Sequence, residues 1–124
     1  MRFLHFPILL LLFLAACAPQ IPANTGIQGQ VTMGPMCPVV ISGQECPDRP
    51  YQATMAILTR AGRDVKKFTT DANGKFSVPL APGAYILHPL PPKNSPMPFG
   101  RDEPFNVVEG QFTQIKVVYD SGIR

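Results

Sequence analysis

From Gly26 onward, apolar and polar residues alternate with a period of two, the spacing of a strand with one buried face. Ile27, Val31 and Met33 fall on one face of a first strand, with Gln28, Gln30 and Thr32 on the other. The stretch 51–60 puts Tyr51, Ala53, Met55 and Ile57 on one face, while Ala56 and Leu58 make its other face partly apolar. Residues 64–70, DVKKFTT, predict a weaker strand. Asn73-Gly74 predicts a tight hairpin, because both residue types tolerate positive φ. After it Phe76, Val78 and Leu80 share a face, and Pro79, which has no amide hydrogen, predicts an edge strand or a bulge. Pro82-Gly83 turns the chain into 84–88, where Tyr85 and Leu87 alternate with Ala84, Ile86 and His88. Two more runs, 104–109 and 111–120, flank a Glu109-Gly110 turn. No segment of this part sustains a helical period. Seven short strands with turns every 8–12 residues predict an all-β, Ig-like β-sandwich whose sheet order local sequence does not fix.

The first residues follow a different pattern. Residues 3–14, FLHFPILLLLFL, are apolar apart from His5 and follow Arg2. A spanning helix needs about 20 apolar residues, and this run is shorter and interrupted by Pro7, which fits a secretory signal peptide. It ends in Leu14-Ala15-Ala16-Cys17, a string that resembles the bacterial lipobox. The resemblance implies that the Cys17 thiol receives diacylglycerol and that the chain is cut before it. Residues 1–16 are then a leader, 17–25 the lipidated cysteine and its tether, and 26–124 the sandwich. The alternative, an ordinary signal peptide, would leave Cys17 as a free thiol in an oxidising compartment, a liability there. Two or three acyl chains hold a protein stably where one does not. The eight residues after Cys17 reach about 26 Å when extended, which keeps the domain near the bilayer. The expected location is the outer membrane or the outer face of the cell membrane, and Ala18 in place of Asp fits export to the outer membrane.

The string DANGKFSVPLAPGAYIL (71–87), with Gly29 and Val31 upstream, resembles carboxypeptidase regulatory-like domains. Those domains have a transthyretin-like (prealbumin-like) sandwich. The matching pieces are Gly29 and Val31, then Asp71, Gly74 and Phe76, then Pro82, Gly83 and Tyr85. The resemblance implies a seven-stranded transthyretin-like fold and a non-catalytic accessory or surface module. The chain departs from the pattern in a cysteine-containing insertion before the second strand and a long proline-rich loop near residue 95.

Composition narrows the function. Eleven basic and eight acidic residues, ten and eight once Arg2 is removed with the leader, give no field strong enough to suggest nucleic acid. Fifteen prolines and ten glycines predict many turns. Apart from Cys17 there are two cysteines, Cys37 and Cys46, each followed by proline. In an exported protein they predict one disulfide closing a loop of about ten residues, worth about 2.5–3 kcal/mol. Zinc is the alternative, but two cysteines supply half a ligand set and His88 is the only histidine beyond the leader, so no metal or other cofactor is expected.

Other candidates point the same way. Asp71 and Asn73 lack the further oxygen ligands of a calcium loop. His88 has no serine in a nucleophile-elbow pattern to serve, so no enzymatic activity is expected. The first strand has no lysine and the last no asparagine, which excludes an isopeptide cross-link between them. Arg60, Arg63, Lys66 and Lys67 cluster around a turn, either as a solvated hairpin or as a contact to anionic head groups or glycans. The loop PLPPKNSPMPFGRDEP (89–104) carries Met97 and Phe99 as candidate binding residues. If strands alternate in direction, the loops 34–50 and 91–103 lie together at the end remote from the tether. The expectation is a lipid-anchored envelope module that binds an envelope protein or glycan or has a structural role. The alternative is a protease inhibitor presenting the Cys37–Cys46 loop.

Overall fold

The computed structural model describes residues 20–39 and 41–124. Residues 1–19, which include the expected leader and Cys17, lie outside the described residues. Eight strands follow in order: β1 (Gly26–Gly34), β2 (Arg49–Pro50), β3 (Thr54–Thr59), β4 (Asp64–Thr69), β5 (Lys75–Pro79), β6 (Gly83–Pro89), β7 (Glu103–Val107) and β8 (Phe112–Asp120). Seven of them match the alternating runs. The eighth, β2, corrects the expected count: the chain returning from the cysteine loop lies against Thr32 and Met33 for two residues only. So short a pairing leaves no alternation to read.

The strands form two sheets. In the first, β1 is central, antiparallel to β5 and β2 along one edge and parallel to β8 along the other. The second is antiparallel throughout, in the order β4-β3-β6-β7. Their apolar faces meet in one core. Ile27, Val31, Phe76, Val78, Ile115, Val117 and Tyr119 come from the first sheet, and Met55, Ile57, Leu87, Phe105 and Val107 from the second. Burying each such aliphatic side chain stabilises the fold by about 1.5–3 kcal/mol. Strand β4 is an edge whose residues are exposed except for Phe68, which explains its weak pattern. Pro79 also sits on an edge strand, at its last residue, as its missing N–H requires.

Two glycines are fixed by close approach. Gly29 is the register partner of Phe76. A Cβ there would collide with the Ile115 carbonyl oxygen and crowd the Phe76 ring at 3.1 Å. Gly74 adopts a φ of 73°, and a Cβ there would strike the Val31 carbonyl oxygen. Its own carbonyl accepts a 2.7 Å hydrogen bond from the Val31 N–H, tying the turn to β1.

That turn corrects the hairpin expectation. Residues 71–74 do form a tight turn, closed by Gly74 N–H to Asp71 O at 3.0 Å. The Asp71 carboxylate caps it, accepting from the amides of Asn73 at 2.9 Å and Lys75 at 2.8 Å. Only Gly74 takes positive φ within it; Asn73 does not. The strands it joins lie in different sheets, so it is a crossover and not a hairpin. Asn-Gly encodes a turn but not the partner of the strand that follows. Here the rings of Phe68 and Phe76 face each other across the sandwich at 5.4 Å, and packing sets the partner.

Apart from β2, which runs the same way as β3, successive strands alternate between the two ends of the sandwich. The chain enters at Thr25, which is buried. The Thr25 hydroxyl accepts from the Gly110 N–H at 2.9 Å, and its carbonyl accepts from the Leu80 N–H at 3.1 Å. The turns at 80–83 and 108–111 therefore share the entry end. Thr59 pairs with Tyr85, so the 60–63 turn shares it too. Gly34, Pro89 and Asp120 end their strands at the opposite, distal end.

Candidate functional site

The two long loops meet at the distal end. Cys37 and Cys46 are joined by a disulfide with their Cα atoms 6.2 Å apart. The loop it closes exposes Val39 and Ile41, which are 69% and 59% accessible. Its base is fixed by the Asp48 side chain, which lies over Gly34 so closely that a Cβ there would clash. The proline-rich loop is held from below by Tyr119, a fully buried residue near the end of β8. Its hydroxyl donates to the Leu90 carbonyl at 2.9 Å, and its ring lies 4.9 Å from that of Tyr51. Burial pushes the Tyr119 hydroxyl pKa well above its ordinary value, with the neighbouring Tyr51 adding to the shift.

The segment after β8 bridges the loops. Ser121 donates from its amide to Gly34 O at 3.0 Å and from its hydroxyl to Pro35 O. Phe99 and Asp120 exchange two backbone hydrogen bonds, at 3.2 and 2.8 Å. Met97 lies against Gly122. Asp120 in turn receives both guanidinium nitrogens of Arg124, at 3.1 and 2.9 Å, and the Gly122 N–H at 2.9 Å. These donors hold its carboxyl down to about 2. The loops are thus one connected surface, with Val39 and Ile41 at the tip of one arm and Phe99 on the other.

The described candidate residues have definite places in this arrangement. Phe99 is exposed, but Met97 is only half-buried against Gly122, so the two do not form a matched exposed pair. The basic cluster divides. Arg60 and Arg63 sit in the β3–β4 turn at the entry end, where Thr59 closes the turn through its amide to Arg63 O at 2.8 Å. Lys66 and Lys67 are successive residues of β4 and point to opposite faces. Cys17 lies outside the described residues.

One pair was not anticipated. His88 Nδ1 contacts the Asp102 carboxylate on the outer face of the second sheet. Asp102 reaches it because β6 and β7 pair Leu87 with Glu103, which sets 102 beside 88. Nothing in either local stretch announces this, since the signal is the strand register itself. Among the described residues no hydroxyl or thiol is hydrogen-bonded to His88. Among the described residues no three His, Cys, Asp or Glu side chains come together, and no helix is long and apolar enough to cross a membrane. No protein-family model matches the chain, and no curated protein matches it.

Proposed function

We propose that the protein is a lipid-anchored module of the bacterial cell envelope that binds a partner without catalysis. It is exported, held by diacylglycerol on Cys17, and presents its distal end outward. The observation that carries this reading is the joining of loops 35–48 and 90–102 through Ser121 and Met97–Gly122, opposite the entry at Thr25. A disulfide-closed loop and a proline-stiffened loop lose little conformational freedom on binding, which favours recognition. The domain belongs in this reading with the transthyretin-like carboxypeptidase regulatory-like sandwiches. Support comes from the tasks of the matching residues: Gly29 admits the Phe76 ring, Asp71 caps the Gly74 turn, and the Tyr85 hydroxyl bonds back to Ala81 O at 2.6 Å. The basic turn at Arg60 and Arg63 then faces the bilayer, within reach of anionic head groups.

A photo-crosslinking amino acid at Ile41 or at Val108, in the full chain in living cells, tests the orientation. Ile41 should give a protein adduct and Val108, at the entry end, a lipid adduct. Lipid adducts at Ile41 would contradict the proposal. The Cys37–Cys46 loop, with Val39 and Ile41 exposed, also favours a second reading, a protease inhibitor, which requires a tight one-to-one complex with a secreted protease.

A further inference from the structure

The outer face of the first sheet carries a feature that neither the anchor nor the distal loops explain. Three cross-strand rows lie side by side there. Gln28 of β1 stands beside Gln114 of β8, Gln30 lies between Lys75 of β5 and Lys116 of β8, and Thr32 stands beside Val118. These residues point away from the core because Ile27, Val31, Ile115 and Val117 point into it. All of them except Val118 line a shallow cavity of about 570 Å³, with Gly29 also in its lining.

The charge of this groove is one-sided. Lys75 and Lys116 flank it, no carboxylate lines it, and neither lysine belongs to an ion pair among the described residues. Strands lie about 4.8 Å apart, so the two lysine Cα atoms stand about 10 Å apart across Gln30. Gln30 lies between them, and Gln28 and Gln114 form the neighbouring row. Gln30 is held by a hydrogen bond from its Nε2 to the Asn73 carbonyl at 3.0 Å, which leaves its amide oxygen as an acceptor at a fixed place. The amides of Gln28 and Gln114 each offer donors and an acceptor. The Thr32 hydroxyl, at the end of the groove, is buried and has no hydrogen-bond partner. The held amide of Gln30 and the amides of Gln28 and Gln114 match the vicinal hydroxyls of sugars, and a pair of ammonium groups matches carboxylates.

We propose that this face binds a carboxylate-bearing glycan, an acidic polysaccharide strand laid across β5, β1 and β8. Lys75 and Lys116 take carboxylates, and Gln28, Gln30 and Gln114 take hydroxyls. An acidic glycan offers hydroxyls beside each carboxylate to the neighbouring amides, whereas an acidic peptide meets them with backbone groups alone, so the glycan is the occupant the groove fits better. The proposal is independent of the anchor and of the distal loops.

The test is titration calorimetry of the full chain in detergent micelles with oligogalacturonate, with the same oligosaccharide after its carboxyls are reduced to alcohols, and with oligoglutamate of equal charge. Two double variants accompany it: K75Q/K116Q in the groove, and K66Q/K67Q, which removes the same charge from the second sheet. Both change exposed lysines, and circular dichroism confirms that they fold. The expected result is binding of oligogalacturonate, weakened about tenfold in K75Q/K116Q and less than about twofold in K66Q/K67Q. The reduced sugar and oligoglutamate should bind at least about tenfold more weakly than oligogalacturonate. Absence of oligogalacturonate binding at millimolar concentration would overturn the proposal. So would equal loss in the two double variants, which indicates unspecific attraction, or oligoglutamate binding as tightly as the sugar.

Discussion

The Tyr119 hydroxyl donates a 2.9 Å hydrogen bond to the Leu90 carbonyl, across the sandwich from the strand that carries it. This contact ties β8 of one sheet to the start of the proline-rich loop that leaves β6 of the other. It fixes a long loop from inside the core. Tyr119→Phe keeps the ring against Tyr51 but leaves the Leu90 carbonyl without this donor. The expected loss is about 1–3 kcal/mol, measured by urea unfolding.

The same residue sets an alkaline limit. The folded-state pKa of Tyr119 is raised, so the fold favours its protonated form. The resulting stability is present below the unfolded pKa near 10 and is lost as pH rises from there toward the folded value. Unfolding free energy should therefore fall above about pH 10, and the fall should be shallower in Tyr119→Phe.

Asp120 behaves in the opposite sense at the acid end. Its carboxyl is held down to about 2 by Arg124 and the Gly122 amide, so it stays charged as pH falls well below its ordinary value of 3.8. Its contribution is present above that ordinary value and fades as pH falls toward 2. Carboxyl carbon NMR should place the Asp120 midpoint near 2, and Arg124→Gln should move it upward toward 3.8.

Gly74→Ala should be among the most damaging single-methyl changes in the chain. The added Cβ must accept a φ of 73° and displace the Val31 carbonyl, whose strand is the centre of the first sheet. A loss of at least about 2 kcal/mol is expected in thermal or urea unfolding. Gly62→Ala has the same sign of φ but open space around it, and should cost about 1–2 kcal/mol.

Reduction of Cys37–Cys46, or the double change to serine, should lower stability by about 2.5–3 kcal/mol and leave the fold intact. Among the described residues, the closed loop contributes none to the core cluster. Far-ultraviolet circular dichroism should be unchanged at 25 °C. Complete unfolding on mild reduction would show that the bridge holds core strands together. For partner binding, Val39→Ser with Ile41→Ser is a cleaner probe than Met97→Ser, because Val39 and Ile41 are exposed while Met97 packs on Gly122.

What could be read from the chain and what could not divide along one physical line. Alternation is a local property, so the buried faces of β1, β3 and β5 follow directly from Ile27 and Val31, Met55 and Ile57, and Phe76 and Val78. The disulfide was legible because only two cysteines remain after Cys17. Pairing is not local. The crossover at Asn73-Gly74, the parallel alignment of β8 on β1, and the meeting of His88 with Asp102 depend on which strand lies beside which. The lysine–glutamine face is the same case: Lys75, Gln30 and Lys116 lie far apart in sequence and share a row only through the register of β5, β1 and β8. Two residues of β2 carry too little pattern to be seen at all.

The proposed outward orientation of the domain rests on a lipid tether at Cys17. Intact mass spectrometry of the protein extracted from the membranes of cells expressing the full chain tests it most directly. The account predicts a chain of residues 17–124 carrying diacylglycerol on Cys17, with or without a further acyl group on its amine, and an oxidised Cys37–Cys46 pair. An uncleaved chain, a cut at any other position, or an unmodified Cys17 would contradict it.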